Sequence, residues 1–259
     1  MTPEYLIVPI AAVAVSVLTF LSGFGLGTLL MPVFALFFPA PVAISLTAII
    51  HFLNNFFEMA FLYRYVRVKT ALLFGLPAAA GAFGGANLLG VVSGVRPLAA
   101  YNLWSINAEV TAVKLLVALL ILVFAAFEAA PPLRSISFDR RYVPLGGLVS
   151  GFFGGLSGHQ GATRAAFLIR IGLSKESYIA TGIAAAILID LSRLSVYMRR
   201  FALAAPGGRL SLLAAACGAA LLGTIIGSRL IGKATLRLVR MLAAALLAVV
   251  ALGLGAGLL

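Results

Sequence analysis

Leu21-Ser22-Gly23-Phe24-Gly25-Leu26-Gly27-Thr28 and Leu156-Ser157-Gly158-His159-Gln160-Gly161-Ala162-Thr163 are the two stretches that decide the fold. A shift of 135 positions lays Ser22 on Ser157, Gly23 on Gly158, Thr28 on Thr163 and, further along, Arg64 on Arg199. The chain therefore reads as a tandem repeat. Both stretches interrupt long apolar runs, and paired interruptions at matching points of two membrane repeats point to a transport site.

Hydrophobic residues fill 63% of the 259 positions and charged residues 10%, with a mean hydropathy of +1.14. A soluble domain has roughly 45–50% apolar and 25% charged residues. Apolar runs of about 20 residues recur throughout, each long enough to cross the hydrocarbon of a bilayer as a helix. The class is thus an all-α polytopic membrane protein, with function inside the bilayer or at its faces. Basic residues outnumber acidic ones 19 to 7, but they are scattered among short connections. That pattern sets topology through the positive-inside rule and does not build a nucleic-acid surface. A single cysteine, Cys217, excludes an internal disulfide and a cysteine metal site. Met1-Thr2-Pro3-Glu4 lacks a basic n-region, so the first span is expected to be retained rather than cleaved.

Spans are expected near 5–38, 41–62, 70–92, 109–127, 142–172, 176–197, 209–231 and 238–258. The first and fifth exceed one ordinary crossing, and the glycine-rich stretches divide each into two short arms. Non-helical backbone at membrane depth is tolerated only where protein or a water-filled cavity satisfies it, so both breaks should point inward. The predicted organisation is a first repeat over 1–130, a cytoplasmic linker over 131–141 and a second repeat over 142–259, forming one transport unit. If each broken segment returns to the side it entered, the halves are inverted. Arg64, Arg67 and Lys69, Arg134, Arg140 and Arg141, Arg170 and Lys175, and Lys233, Arg237 and Arg240 then all face the cytoplasm, with both termini outside. The alternative is a parallel repeat, which exports the last cluster and brings Arg199, Arg200 and Arg209 inside. Gly81, Gly84, Gly85, Gly218, Gly223 and Gly227 read as packing positions where helices approach closely.

In the second span Thr47, His51, Asn54, Asn55 and Glu58 fall on one helical face. A charge facing lipid at the bilayer centre costs about 2.5–3.5 kcal/mol on insertion scales, so this stripe faces either a cavity or a partner helix. In the equivalent span Asp190 precedes Arg193 by three residues, the spacing of an internal ion pair. Asp190, His51 and Glu58 are the proton-coupling candidates. Ser157, Gly158, His159, Gln160, Gly161, Thr163 and Arg164 form the densest polar cluster. A broken helix with unpaired N–H groups, side-chain donors and a forked guanidinium suits an oxyanion. Arg164 is assigned to the anion, against the alternative of snorkelling to the interface.

Leu21–Val33, Thr47–Asn55 and Gly151–Gly158 together resemble the sulfite exporter TauE/SafE family, the toluene sulfonate uptake permeases. The resemblance covers nearly the whole chain and implies a bacterial inner-membrane carrier of small, often sulfur-containing anions. It assigns Ser22, Gly23, Gly25, Gly27, Ser157, Gly158 and Gly161 to the breaks. His159 and Gln160 stand where the family commonly has glycines. The substrate-binding set on this reading is Ser22, Gly23, Phe24, Gly25, Gly27, Thr28, Asn54, Asn55, Ser157, Gly158, His159, Gln160, Gly161, Thr163 and Arg164. The expected partners are the lipid bilayer and the anion; no catalytic residue, metal or cofactor is expected. The competing readings are a passive anion channel and, from Gly155-Leu156-Ser157-Gly158, a rhomboid-like intramembrane serine protease with His51 or His159 as its only available bases.

Overall fold

The computed structural model describes residues 3–22, 26–103, 106–130, 137–200, 209–229 and 236–259. The predicted first span is two helices, α1 (Glu4–Ser22) and α2 (Leu26–Ala35). After them come α3 (Ala40–Leu62) and α4 (Val68–Ser93), a hairpin of β1 (Ala99–Leu103) and β2 (Ile106–Val110), and α5 (Ala112–Ala129). The second half runs α6 (Val143–Ser157), α7 (Gly161–Leu168), α8 (Lys175–Arg200), α9 (Arg209–Arg229) and α10 (Leu236–Gly255). Single 3-10 turns fill Tyr63–Tyr65, Arg140–Tyr142 and Ile169–Ile171.

Among the described residues four helical stretches are long and apolar enough to cross a membrane: Ala40–Tyr65, Val68–Ser93, Lys175–Arg200 and Leu210–Arg229. Shorter apolar helices lie around them, and the chain is a multi-pass membrane protein. Local chemistry sets the boundaries. Pro39 and Pro41 open α3, where a missing N–H loses nothing. Thr111 caps α5 by accepting from the Lys114 N–H at 3.2 Å. Gly158 ends α6 at φ 84°, a left-handed conformation that a side chain would strain.

The second broken segment doubles back. The Phe138 N–H, ahead of α6, donates to the Ala166 carbonyl near the end of α7 at 3.0 Å. The Phe138 and Phe167 rings stack at 4.4 Å, and Phe167 occupies the space that a side chain at Gly146 would need. Midway, the Ser150 hydroxyl donates to the Gln160 carbonyl at 3.0 Å. The end of α7 thus lies beside the start of α6.

Helices of one half pack mainly on the other: α4 lies along α6 and α8, α1 along α9, α3 across α8 and α5 against α10. Where α4 meets α6 the backbones touch. A methyl at Gly81 or Gly85 would run into the main chain at Leu148 or Phe152, and one at Gly147, Gly151 or Gly155 into Phe74, Ala78 or Ala82. In lipid, such van der Waals fit replaces the hydrophobic drive of soluble cores. Gly223 makes a similar approach to Val13 and Ser16 of α1, whereas Gly84 and Gly218 have no atom within 4 Å of a built Cβ and do not serve packing inside the chain.

The hairpin departs from the all-α expectation. Its strands pair antiparallel with Asn102 opposite Asn107 and Ala99 opposite Val110. The Glu109 N–H donates to the Gly257 carbonyl at 3.1 Å, and Lys114 Nζ reaches the Glu109 carbonyl at 2.9 Å. The predicted span at 109–127 therefore starts at Ala112, because the preceding residues dock on the C-terminal end instead of continuing the helix. Of the basic clusters, Arg134 and Lys233 lie outside the described residues.

Candidate functional site

The first turn of α2 approaches the second break. A Cβ built on Gly27, in the first turn of α2, would stand 3.4 Å from the Gly158 carbonyl oxygen, 3.7 Å from His51 Cδ2 and 3.8 Å from Thr47 Cγ2. On the far side of Gly158, Arg193 Nη1 is 3.6 Å from the equivalent point. Gly23, Phe24 and Gly25 of the first break lie outside the described residues. Ser22 closes α1, and Gly27 and Thr28 are buried in α2.

Around this contact, α3 and α8 supply a closed ionic network. Arg193 Nε donates to Asp190 Oδ1 at 2.9 Å, so the expected ion pair forms. His51 Nδ1 lies 2.7 Å from Asp190 Oδ2, and Asn55 Nδ2 donates to the same oxygen at 3.3 Å. A carboxylate accepts, which places the His51 proton on Nδ1. Arg193 Nη1 donates to the Gly154 carbonyl at 3.0 Å, and the Tyr197 hydroxyl donates to the Gly155 carbonyl. The Gly155 carbonyl lies in the last turn of α6, where no further helix follows to satisfy it, and the Gly154 carbonyl accepts from the Gly158 N–H as well, at 3.0 Å. Asp190, Arg193 and Tyr197 share one face of α8, and sequence reasoning, which read Arg193 only as a partner for Asp190, missed its hold on the break. The i, i+3, i+7 spacing puts the three on one face but does not say what that face meets.

The polar stripe of α3 divides. Thr47, His51 and Asn55 face Asp190 and the breaks. Asn54 instead donates to Glu58 Oε1 at 2.8 Å and accepts from the Thr224 hydroxyl of α9 at 2.8 Å. Asn54 and Glu58 thus tie α3 to α9 and do not join the Asp190 network.

At the second break, His159 is buried and stacked on Phe124, ring centroids 5.4 Å apart and planes 2° from parallel. Its Nδ1 faces the Ser157 carbonyl at 2.9 Å, so Nδ1 carries the proton and Nε2 the lone pair. The Ser157 hydroxyl donates to the Phe153 carbonyl at 3.1 Å. His159 Nδ1 is 3.2 Å from that hydroxyl but, being protonated, presents no base to it. Thr163 Oγ1 donates to the Gln160 carbonyl at 3.0 Å, and Arg164 Nη1 to the Gly182 carbonyl at 3.0 Å. Gly161 opens α7 behind Gln160, which makes no side-chain cap.

Several buried polar atoms here lack a hydrogen-bond partner among the described residues: Thr47 Oγ1, His159 Nε2, both amide atoms of Gln160, and Arg193 Nη2. Arg193 Nη2 stands 2.7 Å from Asp190 Oδ1, off the hydrogen-bonding line. An orphaned buried group costs about 1–3 kcal/mol, so a cluster of them around one contact calls for a ligand or ordered water. Among the described residues no group of three or more His, Cys, Asp or Glu side chains is placed to hold a metal ion.

Neither the curated proteins nor the solved structures contain a match to the chain. The family model described as sulfite exporter TauE/SafE matches residues 8–254, from the second turn of α1 to the end of α10. With its paired helix interruptions and apolar spans inside that match, the chain belongs to the sulfite exporter TauE/SafE family of membrane transporters.

Proposed function

We propose that the chain is a secondary transporter that moves a small anion, sulfur-containing or organic, across the bacterial inner membrane, holding it where the two broken segments meet. The observation that carries this reading is the set of partnerless polar atoms on Thr47, His159, Gln160 and Arg193 beside the contact of Gly27 with Gly158. Thr47, Gln160 and Arg193 offer donors to an oxyanion, and Arg164 keeps guanidinium protons beyond the one given to Gly182. His159 Nε2 and Gln160 Oε1 accept, which suits an oxyanion that retains one hydroxyl proton. The facing wall is assigned to Gly27 and Thr28, with Asn55, Ser157, Gly158, Gly161 and Thr163 completing the surround.

We read the two halves as inverted repeats forming one transport unit, with both termini periplasmic and the basic loops cytoplasmic. Two observations support this. The pair α4 and α6 corresponds, under the 135-residue shift, to the pair α9 and α1, and both pairs pack. Asn55 also touches Asp190, its own equivalent. Asp190, backed by His51, is the coupling group: an anion that draws on Arg193 frees the carboxylate to take a proton.

Counterflow tests the carrier reading. Proteoliposomes preloaded with unlabelled sulfite and diluted into a trace of labelled sulfite should accumulate label transiently above equilibrium. Equilibration without overshoot identifies a channel, and no protein-dependent flux of sulfite or sulfonates removes the reading.

A further inference from the structure

A second site lies away from the breaks. Three connections that are remote in sequence line an open surface depression of about 530 Å³: the α3–α4 turn, the residues leading into α6, and the α7–α8 turn. Arg67 and Lys69 enter it from the first, Arg140 from the second, and Gly172 and Ser174 from the third. No acidic side chain lines it, and among the described residues none of its three cations has an ion-pair partner. The nearest carboxylate in sequence, Asp139, is turned to Arg141, accepting from its N–H at 3.0 Å. Glu176, in the first turn of α8, is exposed and outside the lining.

The arrangement is held in place. The Arg67 N–H donates to the Thr181 hydroxyl at 3.0 Å, fixing the α3–α4 turn on α8. Gly172, at φ 78°, turns the chain so that α8 begins at the wall of the depression, adding the positive end of a long helix dipole. Tyr63, Tyr65 and Tyr142 are exposed on the flanking turns, as tyrosines are at the headgroup level of membrane proteins. Asp190 lies about 24 Å further along α8, at 1.5 Å per residue, so this depression is separate from the breaks.

We propose that this depression binds a phosphate group, either the headgroup phosphate of an anionic lipid or free inorganic phosphate. Three exposed cations lining one depression, with no acidic neighbour among the lining residues, favour an anion there. The volume lies within the range of small-ligand sites, and basic pockets between membrane helices take up anionic headgroups. A phosphate there bridges α4, the approach to α6 and the start of α8, and so clamps the two halves at one end.

The test uses full-length protein purified in a neutral detergent and measures its melting temperature in three arms: added phosphatidylglycerol, added phosphatidylcholine, and inorganic phosphate. Phosphatidylglycerol should raise the melting temperature where phosphatidylcholine does not, and the rise should vanish in R67Q/K69Q/R140Q. An equal rise with inorganic phosphate alone, lost in the same variant, supports the site with soluble phosphate as the source. If the triple variant does not fold, the single variants R67Q and R140Q should each weaken phosphatidylglycerol retention in native mass spectrometry about fivefold. Wild-type protein that responds to neither phosphatidylglycerol nor phosphate, or variants that respond as the wild type does, overturns the proposal.

Discussion

Asn55 donates a hydrogen bond to Asp190 across 3.3 Å, and the two residues stand 135 positions apart, the spacing that superimposes the halves of the sequence. On the proposed inverted-repeat reading each is the other's equivalent, and an approximate two-fold relation would bring such a pair together at its axis. One member of the pair is neutral and the other charged, and Arg193 and His51 gather around the charged one.

That asymmetry predicts a stability effect. Asp190→Asn leaves Arg193 buried without its carboxylate and should destabilise the protein by about 3–5 kcal/mol, since breaking a buried pair strands a charge. Asp190→Asn combined with Arg193→Gln should recover part of the loss. Thermal unfolding in detergent reads both, and a single variant as stable as the wild type contradicts the account.

The glycines supply a paired prediction. Gly151→Leu drives a side chain into the Ala78 backbone of α4 and should cost at least ~1–3 kcal/mol, the usual penalty of overpacking, with a loss of folded yield. Gly84→Leu meets open space on the same helix pair and should fold as the wild type does. Yield and melting temperature of the two variants measured side by side separate packing from glycine content as such.

Arg164 gives a transport prediction. With one guanidinium nitrogen held by Gly182, Arg164→Lys keeps the charge but loses the fork and should weaken sulfite binding about tenfold, the equivalent of one charge-assisted hydrogen bond. Arg164→Ala should abolish it. An Arg164→Ala protein that binds sulfite with wild-type affinity restricts the site to Arg193 and the break itself.

Much of this arrangement was legible in the chain. The long interrupted spans, the inward turn of Gly158, the polar face of α3 and the Asp190–Arg193 pair follow from hydropathy, glycine spacing and helical periodicity. Contacts between distant segments do not. Nothing in the local pattern says that His51 reaches Asp190, or that Arg193 closes the end of α6, because those pairings depend on how α3, α6 and α8 cross. The β-hairpin was hidden because Ala99–Val110 falls almost wholly in the connection between the expected spans 70–92 and 109–127, and its docking on the C-terminal end is a contact between distant segments. Gly81 and Gly84 look alike in sequence, yet one meets a backbone and the other open space.

The most direct measurement concerns Gln160, whose two amide atoms are buried with no partner among the described residues. Melting curves of wild-type protein and Gln160→Leu, each with and without sulfite, test whether those atoms wait for a ligand. The account predicts that sulfite raises the wild-type melting temperature, as binding to the native state must. It also predicts that Gln160→Leu is at least as stable as the wild type without ligand, having lost an unsatisfied polar group, and gains nothing from sulfite. A Gln160→Leu protein that sulfite stabilises as much as it does the wild type would contradict the assignment of the anion to the meeting point of the two breaks.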